Sequence, residues 1–201
     1  MRNTLLVALR TTVVTLLLTG VLYPVAMTGL GSVLFPNKAR GSLITDARGQ
    51  VVGSALIGQA VSRPGYFQPR PSSAGEGYDA AASSGSNLGP TARKLRERVQ
   101  AELARLHREN PDAPKDVPAE LVTASASGLD PHLSPAAARW QVPRVARARG
   151  VSPERVKDVL DEHIEGRELG ILGEPRVNVL LLNLALDLRF GQPIEAPPAG
   201  G

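Results

Sequence analysis

Residues 11–37 read TTVVTLLLTGVLYPVAMTGLGSVLFPN, 27 consecutive positions without a charged side chain. All 19 acids, and 21 of the 23 Lys and Arg, stand at Lys38 or beyond. The hydrocarbon of a bilayer takes roughly 20 apolar residues as helix, so the run predicts one transmembrane helix over about residues 5–34. Pro24 is placed to kink it. A cleaved secretory signal, cut near Val25-Ala26-Met27-Thr28, is the competing reading, but the apolar stretch exceeds the usual core of roughly 7 to 15 residues. Arg2 and Arg10 at one end nearly balance Lys38, Arg40 and Arg48 at the other, so charge does not orient the helix. A long domain after it can cross the bilayer largely regardless of charge.

Around this segment the composition is that of a folded chain. Hydrophobic residues make up 42% of 201, while aromatics are only 3% and Gly and Pro number 20 and 17, which implies an aliphatic core with many turns. The net charge of +4 is too small to define a nucleic-acid-binding protein. With no cysteine, disulfides, thiolate metal sites and cysteine nucleophiles are excluded. The expected fold class is α+β: one N-terminal transmembrane helix followed by a single mixed α/β soluble domain. The divisions are an anchor over 1–36, a soluble and extracytoplasmic domain over 37–190, and a flexible tail over 191–201, whose sequence GQPIEAPPAGG carries no folding signal.

Within the soluble part, β-forming residues flank Asp46-Ala47-Arg48-Gly49 and predict a hairpin over 41–59. Residues 62–90 are so dense in Gly, Pro and Ser that no periodicity survives, the mark of a long ordered loop or a linker. Leu95, Val99, Leu103 and Leu106 form one stripe of a helix over 91–109. A short strand is expected at 117–125. Ser134-Pro135 and Ser152-Pro153 read as helix starts. With Pro143 as a break and Gly150 as a stop, they predict helices at 135–141, 143–149 and 153–165, the last burying Val156, Val159 and Leu160. Residues 175–189, apolar nearly all round, predict a central buried helix, with a strand as the lesser option.

Catalytic and nucleotide signatures are missing. GxxxxGK[ST], GxGxxG, GxSxG and HExxH do not occur. His107, His132 and His163 are not at metal-ligand spacing from one another. A serine triad can be drawn from Ser83, Ser84 or Ser86 with His132 and Asp130, but Asp130-Pro131-His132 more naturally makes a turn. Residues 78–90 and 122–132 are rich in small donors and acceptors suited either to lining a tight contact or to capping turns.

At these residues the chain resembles the C subunit of the Kdp-type potassium-transporting ATPase of bacteria. The likeness runs through Arg70-Pro71-Ser72, Tyr78-Asp79 to Gly89-Pro90, Leu121 to His132, Trp140-Gln141-Val142-Pro143-Arg144-Val145-Ala146, and Gly173 to Asp187. It covers nearly the whole chain apart from the spacer near 107–116 and the residues after Phe190. The resemblance implies a non-catalytic accessory subunit in the bacterial cytoplasmic membrane. Its partners would be a channel-like potassium-translocating subunit and a P-type ATPase subunit, and it would act as a catalytic chaperone raising the latter's ATP affinity. No cofactor would be bound firmly, ATP being reached through the ATPase subunit. A domain outside the cytoplasm cannot touch ATP on the other side, so an indirect effect is expected; the family's nucleotide proposal would fall on Gln141. Thr28 and Ser32, a small-xxx-small pair, are the partner-contact candidates in the anchor. Tyr78, Asp79, Ser86, Asn87, Asp130, His132 and Asn178 are those of the soluble domain. The alternatives are a membrane-tethered envelope hydrolase working through Ser84 or Ser86 and His132, and a free-standing ligand-binding module.

Overall fold

The computed structural model describes residues 2–46 and 48–193. The tail expectation therefore falls mostly outside the described residues, although Gly191 is held, its carbonyl accepting from Arg149 Nη1 at 2.7 Å. The described chain divides into two compact units, up to Leu43 and from Ile44 onward.

The first unit is a helix from Arg2 to Leu34, long and apolar enough to cross a membrane. It comprises α1 (Arg2–Leu17), a π turn (Leu18–Leu22) and α2 (Tyr23–Leu34), followed by the single turn α3 (Pro36–Ala39). Pro24 has no N–H to donate. The helix absorbs this by widening one turn ahead of it, where the Tyr23 N–H reaches back five residues to the Leu18 carbonyl.

In the second unit, β1 (Leu43–Thr45) and β2 (Val51–Ser54) pair as the expected hairpin. Asp46 Oδ1 accepts from the N–H groups of Arg48 and Gln50, both at 2.9 Å, and fixes the turn. Residues 62–90 carry no helix or strand but are ordered by their own contacts. Helix α4 (Arg93–Glu109) follows, with Val99, Leu103 and Leu106 against the core.

Three expectations are corrected. The strand at 117–125 is instead a 3-10 turn (Ala119–Leu121). Pro118 removes a ladder donor, and the Val122 and Thr123 N–H groups both return to the Ala119 carbonyl, curling the backbone. The helices on either side of Pro143 are one, α5 (Pro135–Arg149). Ser134 caps its start and Gly150, at φ 64°, ends it. Burial of Trp140, Gln141, Val142, Arg144 and Val145 on both sides of Pro143 keeps the helix continuous through the lost hydrogen bond. Helix α6 (Pro153–Glu162) buries Val156, Val159 and Leu160 as expected, but stops three residues early because Glu165 leaves to pair with Arg176.

The segment 175–189 is also not helical throughout. Strand β3 (His132–Leu133) pairs antiparallel with β4 (Val177–Asn178), His132 opposite Asn178. Helix α7 (Val179–Phe190) starts only after β4, and its Asn178 cap accepts from the Leu181 N–H. Nor is it enclosed: Val179, Leu182, Asn183 and Leu186 are buried, while Leu188 is 83% exposed. The core lies between α5, α6, α7 and α4, with Phe67 and Leu133 wholly inside it.

Candidate partner-binding surface

The site is built on a strap, residues 64–68, with Phe67 wholly buried in the core. The strap opens on a turn, the Tyr66 N–H returning to the Arg63 carbonyl at 3.2 Å, and a buried segment outside any helix or sheet leaves its other N–H and C=O groups without ladder partners, each at a cost of about 1–3 kcal/mol. Here side chains replace the missing sheet. Asn183 of α7 accepts from the Phe67 N–H at 2.8 Å and donates to its carbonyl at 2.9 Å. Gln141 of α5 does the same for the next residue, accepting from the Gln68 N–H at 2.8 Å and donating to its carbonyl at 2.9 Å. Arg144 donates to the carbonyls of Pro64 (2.6 Å) and Tyr66 (2.9 Å) and to Gln141 Oε1 (2.8 Å). Arg149 donates to the Gly65 carbonyl at 2.6 Å. Burial lowers the Arg144 guanidinium to about 10, which still leaves it charged at neutral pH.

Tyr66 closes the strap at one side. Its hydroxyl donates to Asp187 Oδ2 at 2.9 Å, and the guanidiniums of Arg63 and Arg149 each lie over its ring, 4.8 Å from the centroid. Burial, followed by the neighbouring Asp187, raises the Tyr66 phenol, so it remains a donor.

The strap leads into a platform of three loops. Ser72 Oγ donates to the Gly128 carbonyl at 2.6 Å and accepts from the Tyr78 N–H at 2.8 Å. The Ser84 N–H and Ser83 Oγ both reach the Ser127 carbonyl, the Ser125 N–H reaches Pro71, and the Gly58 N–H reaches Leu129. This backbone stitching explains the density of small residues. A Cβ on Gly128, at φ 70°, would stand 2.6 Å from the Ala74 nitrogen and 2.7 Å from the Ser84 oxygen.

The expected contact residues of the soluble part divide accordingly. Tyr78, at φ 59°, donates its hydroxyl to the Arg70 carbonyl, and burial lifts its phenol to about 12. Asp79 Oδ1 accepts from the Ala81 N–H at 2.9 Å. Asp130 Oδ1 accepts from the His132 N–H at 3.0 Å, while its Oδ2 lies 3.4 Å from Arg70. The His132 side chain, the His132 N–H and Arg70 together hold the Asp130 carboxyl below its ordinary value against the opposing effect of burial. Asn178, besides capping α7, donates to the Ala55 carbonyl at 2.8 Å. Arg70, Asp130, His132 and Asn178 thus share one neighbourhood, joined through the β3–β4 pair. Ser86 is half-buried and Asn87, at φ 49°, exposed on the same loop. Thr28 and Ser32 lie on the anchor, in the other unit, and are exposed there.

The triad geometry does not form around Ser83 or Ser84. Their hydroxyls donate to the Ser127 and Gly85 carbonyls, and the His132 ring faces Asp130. Gln141 is 1% exposed, and its amide is committed to Gln68 and Arg144. Among the described residues, no three His, Asp or Glu side chains gather as metal ligands. Of Arg144, Arg149 and Asn183, only Asn183 leaves a trace in the sequence, as a lone polar residue in the buried stripe of α7; Arg144 and Arg149 stand among other polar residues of α5.

Two clefts flank the strap. One of about 340 Å³ is bordered by Ile57, Tyr66, Val179 and Asp187, the other of about 360 Å³ by Arg70, Tyr78, Arg105 and Glu109. The walls pair salt-bridged polar groups with small apolar ones, the mixture found at non-obligate protein interfaces.

Comparison with known proteins follows the same residues. Positions 5–188 match the family described as K+-transporting ATPase, c chain. A protein of Myxococcus xanthus named potassium-transporting ATPase KdpC subunit is 70% identical over 202 residues, covering 100% of this chain and 96% of that one. KdpC subunits of Rhodospirillum rubrum and Koribacter versatilis are 58% and 49% identical, covering 87% and 98% of this chain and 90% and 100% of theirs. Strap, platform and apolar N-terminal helix all lie inside the matched span, and the chain belongs to the KdpC family, the c chains of K+-transporting ATPases.

Proposed function

We propose that this chain is a non-catalytic accessory subunit of an ATP-driven potassium uptake complex in the bacterial cytoplasmic membrane. It is anchored by the Arg2–Leu34 helix, and its soluble unit lies outside the cytoplasm. There it braces a channel-like subunit and, by stabilising the assembly, raises the ATP affinity of a P-type ATPase subunit without touching the nucleotide. The observation that carries the reading is the family match across residues 5–188. The geometry supports the indirect route. Gln141, the residue a nucleotide contact would require, spends both ends of its amide on the Gln68 backbone. Nucleotide binding there would have to break both hydrogen bonds of a side chain that is itself 1% exposed. The platform, closed by internal hydrogen bonds, offers a rigid surface in place of a reaction centre.

The test is co-purification. The chain is expressed with the channel-like and ATPase subunits, captured by an affinity tag, and potassium-stimulated ATP hydrolysis is measured with and without it. Recovery of both partners, with the apparent ATP affinity falling when the chain is omitted, is the expected result. A correctly inserted chain that captures neither partner would overturn the reading.

A further inference from the structure

After α6 the chain makes an excursion, residues 165–176, that contributes nothing to the core. It is nonetheless well built. Glu165 and Arg176 exchange backbone hydrogen bonds at 2.8 and 3.0 Å, and Glu168 and Leu172 exchange two at 2.9 Å, giving a hairpin with a tight tip. Arg176 pairs with Glu165 at 3.0 Å and Glu168 at 2.9 Å, and Arg167 with Glu174 at 2.7 Å. The tip itself is Leu169-Gly170-Ile171-Leu172. Leu169 is held at φ 52°, a left-handed conformation a leucine rarely adopts, and the three side chains are 88%, 74% and 56% exposed. A braced hairpin presenting three large aliphatics to water is a probe for an apolar recess.

The surroundings choose among occupants. A tip meant for an anionic lipid surface carries free Lys or Arg and interfacial aromatics. Residues 161–176 contain no aromatic, and both of their arginines are taken by carboxylates of the same hairpin. Even counting Arg139 and Arg189, which pair with Asp161 and Glu162, four arginines face five carboxylates in a protein of net charge +4. The collar is therefore slightly acidic, and its complement is basic. We infer that the 169–172 tip inserts into an apolar recess with a basic rim on another protein subunit of the same transport complex, a statement that rests on the accessory-subunit reading.

The experiment uses the full chain co-expressed with its partner subunits. The triple variant Leu169→Asn, Ile171→Ser, Leu172→Thr suits the backbone, because Asn tolerates the left-handed position. It should keep the wild-type thermal midpoint and lose roughly tenfold in partner retention. A photo-reactive benzoyl-phenylalanine at position 171 should cross-link to a partner subunit. If the triple variant is destabilised, Leu169→Asn alone and the cross-link decide the matter. Wild-type retention by the folded variant, or cross-linking to lipid or to a second copy of this chain, would overturn the inference while leaving the accessory role standing. Failure of the wild-type chain to retain partners would instead refute the accessory role, and the inference with it.

Discussion

Replacing Asn183 by Leu removes a carboxamide that satisfies both backbone groups of Phe67, a residue with no exposed surface. Leu fits the volume but pairs with neither group, so the buried N–H and C=O are left without partners at about 1–3 kcal/mol each. The added apolar burial offsets about 1–2 kcal/mol. At mid-range values a net loss of about 2–3 kcal/mol results, which for a domain of this size lowers the thermal midpoint by about 4–12 °C. Circular dichroism of the full chain in detergent measures it. The companion Asn183→Asp separates the hydrogen bonds from the volume. An ionised Asp can accept from the Phe67 N–H but opposes its carbonyl, so its folded-state pKa is raised above the unfolded value of about 3.9. The deficit of this variant therefore appears as pH rises above the unfolded value and grows until the folded value is passed. Below about pH 4 the neutral acid donates and accepts as Asn does, and the variant approaches the wild type. A drop under about 2 °C for Asn183→Leu, or a deficit of Asn183→Asp independent of pH, would refute the claim that side-chain amides replace a sheet around the strap.

Two further outcomes are expected. Gly128→Ala forces a Cβ into the Ala74 nitrogen and the Ser84 oxygen from a left-handed backbone, and should cost about 2 kcal/mol or more and loosen the platform; thermal unfolding together with proteolysis of residues 72–88 reads both effects. Asp130, whose folded carboxyl is lowered, contributes stability that is present above its unfolded pKa and lost as pH falls through the folded one. Asp130→Asn keeps an acceptor for the His132 N–H, so it should fold and show a shallower acid-side decline in unfolding scans below about pH 4.

What the sequence made legible was whatever repeats a local rule. An uncharged run marks the long N-terminal helix, the Leu stripe marks α4, and Ser134-Pro135 with Gly150 marks the ends of α5. The middle of α5 was hidden because Pro143 obeys a local rule that tertiary burial overrides. The β3–β4 pair was hidden for another reason: two-residue strands joining His132 to Asn178 have no periodicity to read. The roles of Asn183, Gln141 and Arg144 were invisible because they bind main chain. Backbone groups are the same at every residue, so nothing in residues 64–68 announces its partner. Tyr78, Asp79 and Asp130 stood out within small polar loops and lie in loops in the structure, whereas His132, read as part of a turn, opens β3.

The strap has a consequence for how the protein is made. Its clamps join residues 64–68 to residues 73 to 121 positions further along the chain, and two of them, Asn183 and Asp187, lie on α7, near the C-terminal end of the described chain. Contacts of such sequence separation form slowly, because the intervening chain must first be brought to order. A chain emerging from the ribosome or a translocon can form α4, α5 and α6 locally, yet it cannot seat Phe67 until α7 has followed. The soluble unit thus closes in one late step, and a chain truncated before Asn183 would leave the strap undocked however well its earlier helices had formed.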